Sequence, residues 1–170
     1  MKKLIALMSA VILVLTLFSG CGGDSASAGV KVIPIELTQE EYAFGVDKNQ
    51  PELLEQANAY IEKIIADGTL DSICQKYFAG GEVEPITSAV QDSGKDQLVV
   101  ATNAAFEPFE YLLGENYYGI DLEVAKGFAE SLGKELVIVN MDFEAVCLSV
   151  SQGKCDIAMA GLTVNEERKE

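Results

Sequence analysis

Apolar and polar positions divide the chain into a leader, two patterned blocks and polar stretches between them. Lys2 and Lys3 precede an almost purely apolar run from Leu4 to Phe18, and the small residues Ser19 and Gly20 follow. A charged start, a short apolar run and a small-residue end are the layout of a secretory signal peptide over residues 1–20; the run is shorter than a bilayer-spanning helix needs. Residues 21–29 are small and polar and read as a flexible tether. The first patterned block covers residues 30–78. Tyr42 to Val46 predicts a short strand and Asp47 to Gln50 a turn, and Pro51 suits the first turn of a helix, where its missing N–H is not needed. Leu53, Leu54, Ala57, Ile61, Ile64 and Ile65 recur at helical spacing through to Asp67, and Gly68 is placed to follow the C-cap. A second helix, Leu70 to Phe78, carries Ile73, Cys74, Tyr77 and Phe78 on one side. Residues 79–96 are rich in Gly, Ser and acids and read as a linker.

The second block, residues 97–170, alternates strands and helices. Leu98 to Thr102 predicts a strand, and Phe106 to Glu110, holding Pro108, an irregular loop. Tyr118-Gly119-Ile120 leads into a helix capped by Asp121, with Val124, Ala125, Phe128, Ala129 and Leu132 on its apolar face and Gly133 as its stop. Glu135 to Asn140 predicts a strand, Phe143 to Ser151 a helix and Asp156 to Ala160 a third strand. Apolar strands alternating with helices predict an α/β fold, a parallel sheet covered by helices. A ligand site in such a sheet lies beyond the carboxyl ends of the strands, here Thr102-Asn103-Ala104, Met141-Asp142-Phe143 and Gly161-Leu162-Thr163.

Composition narrows the chemistry. The 170 residues hold 12 Lys+Arg against 27 Asp+Glu, a formal charge of −15, and no His. Every mechanism that needs an imidazole is excluded, from Ser-His-Asp systems to His-ligated zinc. The acidic excess repels phosphate backbones, so no nucleic-acid partner is expected. Cys74, Cys147 and Cys155 are an odd number without a C-x-x-C pair, so no metal knuckle, disulfide framework or cofactor is expected. Cys147 and Cys155 are able to pair in an oxidising compartment; three buried thiols is the plainer reading.

Arg168 is the only arginine in the chain. Thr163 followed three residues later by Glu166 has the form of a capping box, which predicts a helix opening just past the third strand. An Arg in that first turn can grip a carboxylate with two parallel hydrogen bonds, or can pair with Glu166 or Glu167 on the surface. Phe106 and Phe143 read first as core residues, with ring walls of a pocket as the alternative, and Asn103 as a cap or a turn.

Resemblance resolves these alternatives. Phe18-Ser19-Gly20-Cys21 is similar to the lipobox of bacterial lipoproteins, with Phe18 where that motif usually has Leu. It implies a lipid on Cys21 and an extracytoplasmic protein anchored to the cell membrane, since two or more acyl chains hold a protein there stably. The string from Leu98 to Tyr111, LVVATNAAFEPFEY, resembles the opening of the family 3 bacterial extracellular solute-binding proteins, which feed amino acids to ABC importers. Tyr118 to Val124, Asn140 to Phe143, Gly153 to Thr163 and Glu166 to Lys169 follow in that family's order. Phe128 stands where the family usually has a smaller aliphatic residue. The resemblance implies a lobe of the periplasmic-binding-protein type II fold and two partners, a free amino acid and an ABC permease. Phe106 and Phe143 are implied to sandwich the ligand side chain, and Arg168 and Thr163 to hold its α-carboxylate. Gly161 and Ala160 are implied to line the pocket, and Asn103 stands where some relatives place an Asp toward the ligand.

Segment order departs from the family. Residues 40–46 resemble the family's returning hinge strand and 66–78 its closing helices, yet here they precede the lobe-one segments. The expectation is therefore one lobe, permuted or truncated at Glu170, without lobe two and with weak amino-acid binding. No enzyme activity is expected. A dehydratase on the same fold would need a general acid at the cleft, where Asp142 and Glu110 are the acids available, and a docking or sensor module would use the uncovered rings instead.

Overall fold

The computed structural model describes residues 33–35, 40–166 and 168. The leader 1–20, the tether 21–29 with Cys21, and Glu167, Lys169 and Glu170 lie outside the described residues. Residues 39–170 cluster as one compact unit. Its elements in chain order are β1 (Tyr42–Val46), α1 (Pro51–Ala66), α2 (Thr69–Phe78), β2 (Gln97–Thr102), β3 (Ala105–Phe106), β4 (Glu110–Leu113), β5 (Asn116–Tyr118), α3 (Ile120–Ser131), β6 (Glu135–Asn140), α4 (Phe143–Ser151) and β7 (Ile157–Thr163).

Four strands form the main sheet in the order β1-β7-β2-β6. β2 runs parallel to both β6 and β7, and β1 closes one edge antiparallel to β7, with Tyr42 opposite Thr163 and Val46 opposite Ile157. Both faces are covered, as expected of parallel strands that read as apolar runs. On one face Leu98, Val100, Ile138, Ile157 and Met159 pack with Leu122, Val124 and Phe128 of α3 and with Ala57, Ile64 and Ile73 of α1 and α2. On the other face Ala101, Ala158, Ala160 and Leu162 pack with Val146 and Val150 of α4. The architecture is α/β with helices over a sheet in which two of the three strand pairings are parallel, as the hydrophobic pattern predicts.

The stretch 79–96, a linker by composition, is docked along the sheet. Ile86 is 5% exposed and its N–H bonds Tyr117 O at 2.8 Å; Ser88 Oγ accepts the Ile138 N–H and Ala89 donates to Leu136 O, both at 2.8 Å. The outer edge of β6 is thereby supplied with partners. The predicted loop at Phe106 to Glu110 is the turn between the first two strands of a three-stranded meander, β3-β4-β5, with its two end residues in those strands. Its strands of two to four residues are too short for an alternating pattern to show. Of the three thiols, Cys155 is buried, Cys74 half-buried and Cys147 exposed, and all are free. Cys147 faces outward because α4 presents only Val146, Ser149 and Val150 fully to the core. Among the described residues no helix is long and apolar enough to cross a membrane.

Candidate functional site

The carboxyl ends of β2, β6 and β7 gather the predicted residues into two groups. The first is built on β7. This strand runs through to Thr163, three residues beyond the predicted end, and its pairing with β1 shifts register between Ala43 and Gly45. Gly161 lies in that irregular stretch at φ +52, and a Cβ there would sit 2.7 Å from the Phe106 ring. Only glycine allows the ring to lie on the strand at this point. Phe106 is 43% exposed and stacks on Phe109, ring centroids 5.3 Å apart. Phe109 in turn contacts Tyr42 at 4.9 Å and Phe78 at 6.4 Å. The ring that would meet a ligand is thus backed by side chains from β1 and α2.

The second group is Thr163, Arg168 and Phe143. The Arg168 guanidinium lies 5.3 Å from the centre of the Phe143 ring, a cation–π distance, and its Nη1 donates to Thr163 O at 2.8 Å. Phe143 opens α4 and is 37% exposed. Arg168 keeps further N–H donors beyond the one given to Thr163. The capping prediction needs correction. Thr163 is the last residue of β7, and the Arg168 N–H is accepted by Asn165 Oδ1 at 2.8 Å. The extra length of β7 carries Thr163 into the ladder opposite Tyr42, so the following turn is capped by Asn165.

Asn103 and Ala160 make contacts of a different kind. The Asn103 side-chain amide donates to Met141 O at 2.8 Å, and the Ala104 N–H is accepted by Asn140 Oδ1 at 2.9 Å, so the pair ties the β2 end to the β6 end. Ala160 is 1% exposed, packed in the layer under α4.

Two buried acids escaped sequence reasoning as a pair. Asp121 does not cap α3, whose N-cap is Gly119 at φ +132, pressed so close to the Phe109 carbonyl that a Cβ would stand 2.1 Å from its oxygen. Freed from capping, the Asp121 carboxylate accepts the Gly161 N–H at 2.9 Å. Burial pushes its pKa up to about 6, against the pull of that hydrogen bond. Glu110 is 1% exposed, and burial followed by the neighbouring Asp121 pushes it up to about 9. The available sequence signal was Glu110 standing between Phe109 and Tyr111, an acid inside an aromatic string.

The stretch of chain that carries these strand ends is matched by a known family. Residues 98–170 match the profile of the bacterial extracellular solute-binding proteins, family 3. This segment belongs to that family. The chain is 37% identical over 79 residues to the arginine-binding extracellular protein ArtP of Bacillus subtilis, covering 46% of this chain and 31% of that protein. It is 38% identical over 73 residues to the cyclohexadienyl dehydratase of Pseudomonas aeruginosa, covering 42% and 27%. A crystal structure of the arginine-bound form of domain 1 from TmArgBP is 37% identical, with a TM-score of 0.43, covering 48% of this chain and 66% of that one. The chain spans about a third of the length of the curated relatives it matches. The matched segment includes β2 from its second residue through β7 and every predicted ligand residue, and excludes β1, α1 and α2.

Proposed function

We propose that the protein is an extracytoplasmic amino-acid-binding component that delivers its ligand to an ABC importer, held at the membrane by lipid on Cys21. The observation that carries the reading is the Arg168 guanidinium seated on the exposed Phe143 ring at the sheet's carboxyl ends. A cation with spare donors beside an apolar face suits a ligand with a carboxylate and a side chain. The Phe106 ring on Gly161 offers the second apolar face. Likeness to an arginine-binding protein supports the same ligand class. In this reading β1, α1 and α2 stand in for the closing elements of the lobe, and the protein works as a binder without turnover.

The dehydratase likeness supports a second reading, in which Glu110 is the general acid. Its acidity suits the role, since a carboxyl pushed up to about 9 stays protonated at neutral pH. Its burial does not, because at 1% exposure no substrate reaches it past Phe106. Binding is therefore preferred.

Calorimetric titration of the chain with each common amino acid tests the proposal. The described residues present one wall to a ligand, and polar contacts open to water on one side are worth little. Weak binding in the millimolar range is expected, abolished by Arg168→Ala. Absence of any heat, or equal affinity in Arg168→Ala, overturns the binding role; release of a decarboxylated, dehydrated product from a cyclic acid establishes the enzyme instead.

A further inference from the structure

Behind the candidate site lie two acids to which the binding reading gives no part. Glu110 on β4 and Asp121 on α3 are 1% and 6% exposed, and neither has an ion-pair partner among the described residues. Both converge on Gly161. Asp121 Oδ2 accepts its N–H at 2.9 Å, and Glu110 Oε1 lies 3.5 Å from the point where a Cβ on Gly161 would stand. That same point is 2.7 Å from the Phe106 ring. Glu110 Oε2 is buried without a hydrogen-bond partner, a condition a protein tolerates far better with a neutral carboxyl than with a charged one. Tyr42 of β1 feels both carboxyls and Cys74 of α2 feels Asp121, and each is pushed up, chiefly by its own burial.

We propose that Glu110 and Asp121 are positioning residues of the ligand wall, holding Gly161 and the Phe106 ring where the ligand meets them and so making amino-acid affinity depend on pH. The proposal rests on the binding function above. With one proton on the pair, Asp121 is the anion that anchors the Gly161 N–H and Glu110 fills its place as a neutral acid. Adding a second proton in mild acid weakens the Gly161 anchor. Removing the last proton in alkali leaves two like charges in a buried space, and their repulsion and need for water drive β4, with Phe106 beside it, away from β7.

Amino-acid affinity measured by calorimetry from pH 5 to 10, wild type against Glu110→Gln, is the test. The ligand's own ammonium titrates in the same range, and taking the ratio of the two proteins at each pH cancels it. Between pH 7.5 and 10 the wild type is expected to lose about tenfold more affinity than E110Q, the effect of one proton released one unit above its midpoint. Parallel profiles overturn the proposal. A second measurement needs neither ligand nor variant: the Gly161 amide resonance followed by NMR is expected to move twice, near pH 6 and again near pH 9. A resonance that stays still between pH 8 and 10 overturns the proposal. Failure of every amino acid to bind, with Gly161 titrating as expected, refutes the binding function and leaves the acid pair's hold on Gly161 established.

Discussion

The helices of residues 51–78 and the elements of residues 97–163 share one core but enter it on different terms. β7 buries all but its last residue, and α3 buries seven. α1 buries only Ala57 and Ile64, and α2 only Ile73, while Leu54 and Ile65 remain 48% and 57% exposed. The later elements are the frame and the earlier helices a cover laid on it. Polar contacts fasten the cover at one place: Lys76 pairs with Glu123 at 2.6 Å, and Tyr77 donates to Glu123 at 2.9 Å while accepting the Gly119 N–H at 3.0 Å. The helix that carries Asp121 is thus gripped from outside by the cover and tied to β7 from inside.

The largest expected effect lies in the frame. Phe128, 2% exposed and packed on Tyr60 with ring centroids 5.4 Å apart, belongs to both layers. Phe128→Ala is expected to cost about 3–5 kcal/mol in urea unfolding. Ile73→Ala removes the one fully buried residue of α2 and is expected to cost about 2 kcal/mol, the lower end for such changes. An Ile73 effect larger than that of Phe128 breaks the distinction between frame and cover; two separate unfolding transitions break the shared core.

The next effect is pH-dependent and belongs to the frame alone. Glu110 and Asp121 are pushed up, to about 9 and about 6, so the folded chain holds protons that the unfolded chain has already released at its ordinary carboxylate range. Stability is therefore greatest in mild acid and falls as pH rises, first through about 6 and then toward about 9. The slope is about 1.4 kcal/mol per pH unit for each proton held. Urea midpoints from pH 5 to 9 read this directly, and E110Q is expected to flatten the upper part of the curve; a wild-type curve that rises with pH contradicts it. Smaller still, Lys76→Ala is expected to cost about 1 kcal/mol, since it breaks a partly buried ion pair while Tyr77 keeps its bond to Glu123. Arg168→Ala is expected to change stability by less than about 0.5 kcal/mol, because the residue is exposed, while removing amino-acid binding if the proposed role holds.

Frame and cover differ in how plainly the sequence announces them. The strands β2, β6 and β7 and the helices α1, α3 and α4 are legible because each has enough residues for a period to repeat, and Pro51 and Gly133 mark ends in chemically specific ways. What was hidden depends on contacts made at a distance. Ile86 and Ser88 look like linker residues until Tyr117 and Ile138 meet them. Asp121 has the spacing of a cap, and only the approach of Gly161 shows its carboxylate turned inward. Thr163 and Glu166 have the spacing of a capping box, and only the length of β7 moves the cap to Asn165. The rings at 106 and 143 and the arginine at 168 were legible as chemistry, while their division into two groups needed the fold.

The pairing of β1 with β7 has a consequence for how the chain folds. Tyr42 of β1 meets Thr163 of β7 across nearly the whole described chain, and β7, which lies between β1 and β2 in the sheet, is the last of the described strands in chain order. During synthesis the cover helices emerge before β7 and must wait, apolar stripe uncovered, until that strand arrives to complete the core they share. Non-local closure of this kind slows folding and lengthens the exposure of sticky surface. The protein is therefore expected to fold in one late step, and to depend on being kept apart from its neighbours until residue 163 is out.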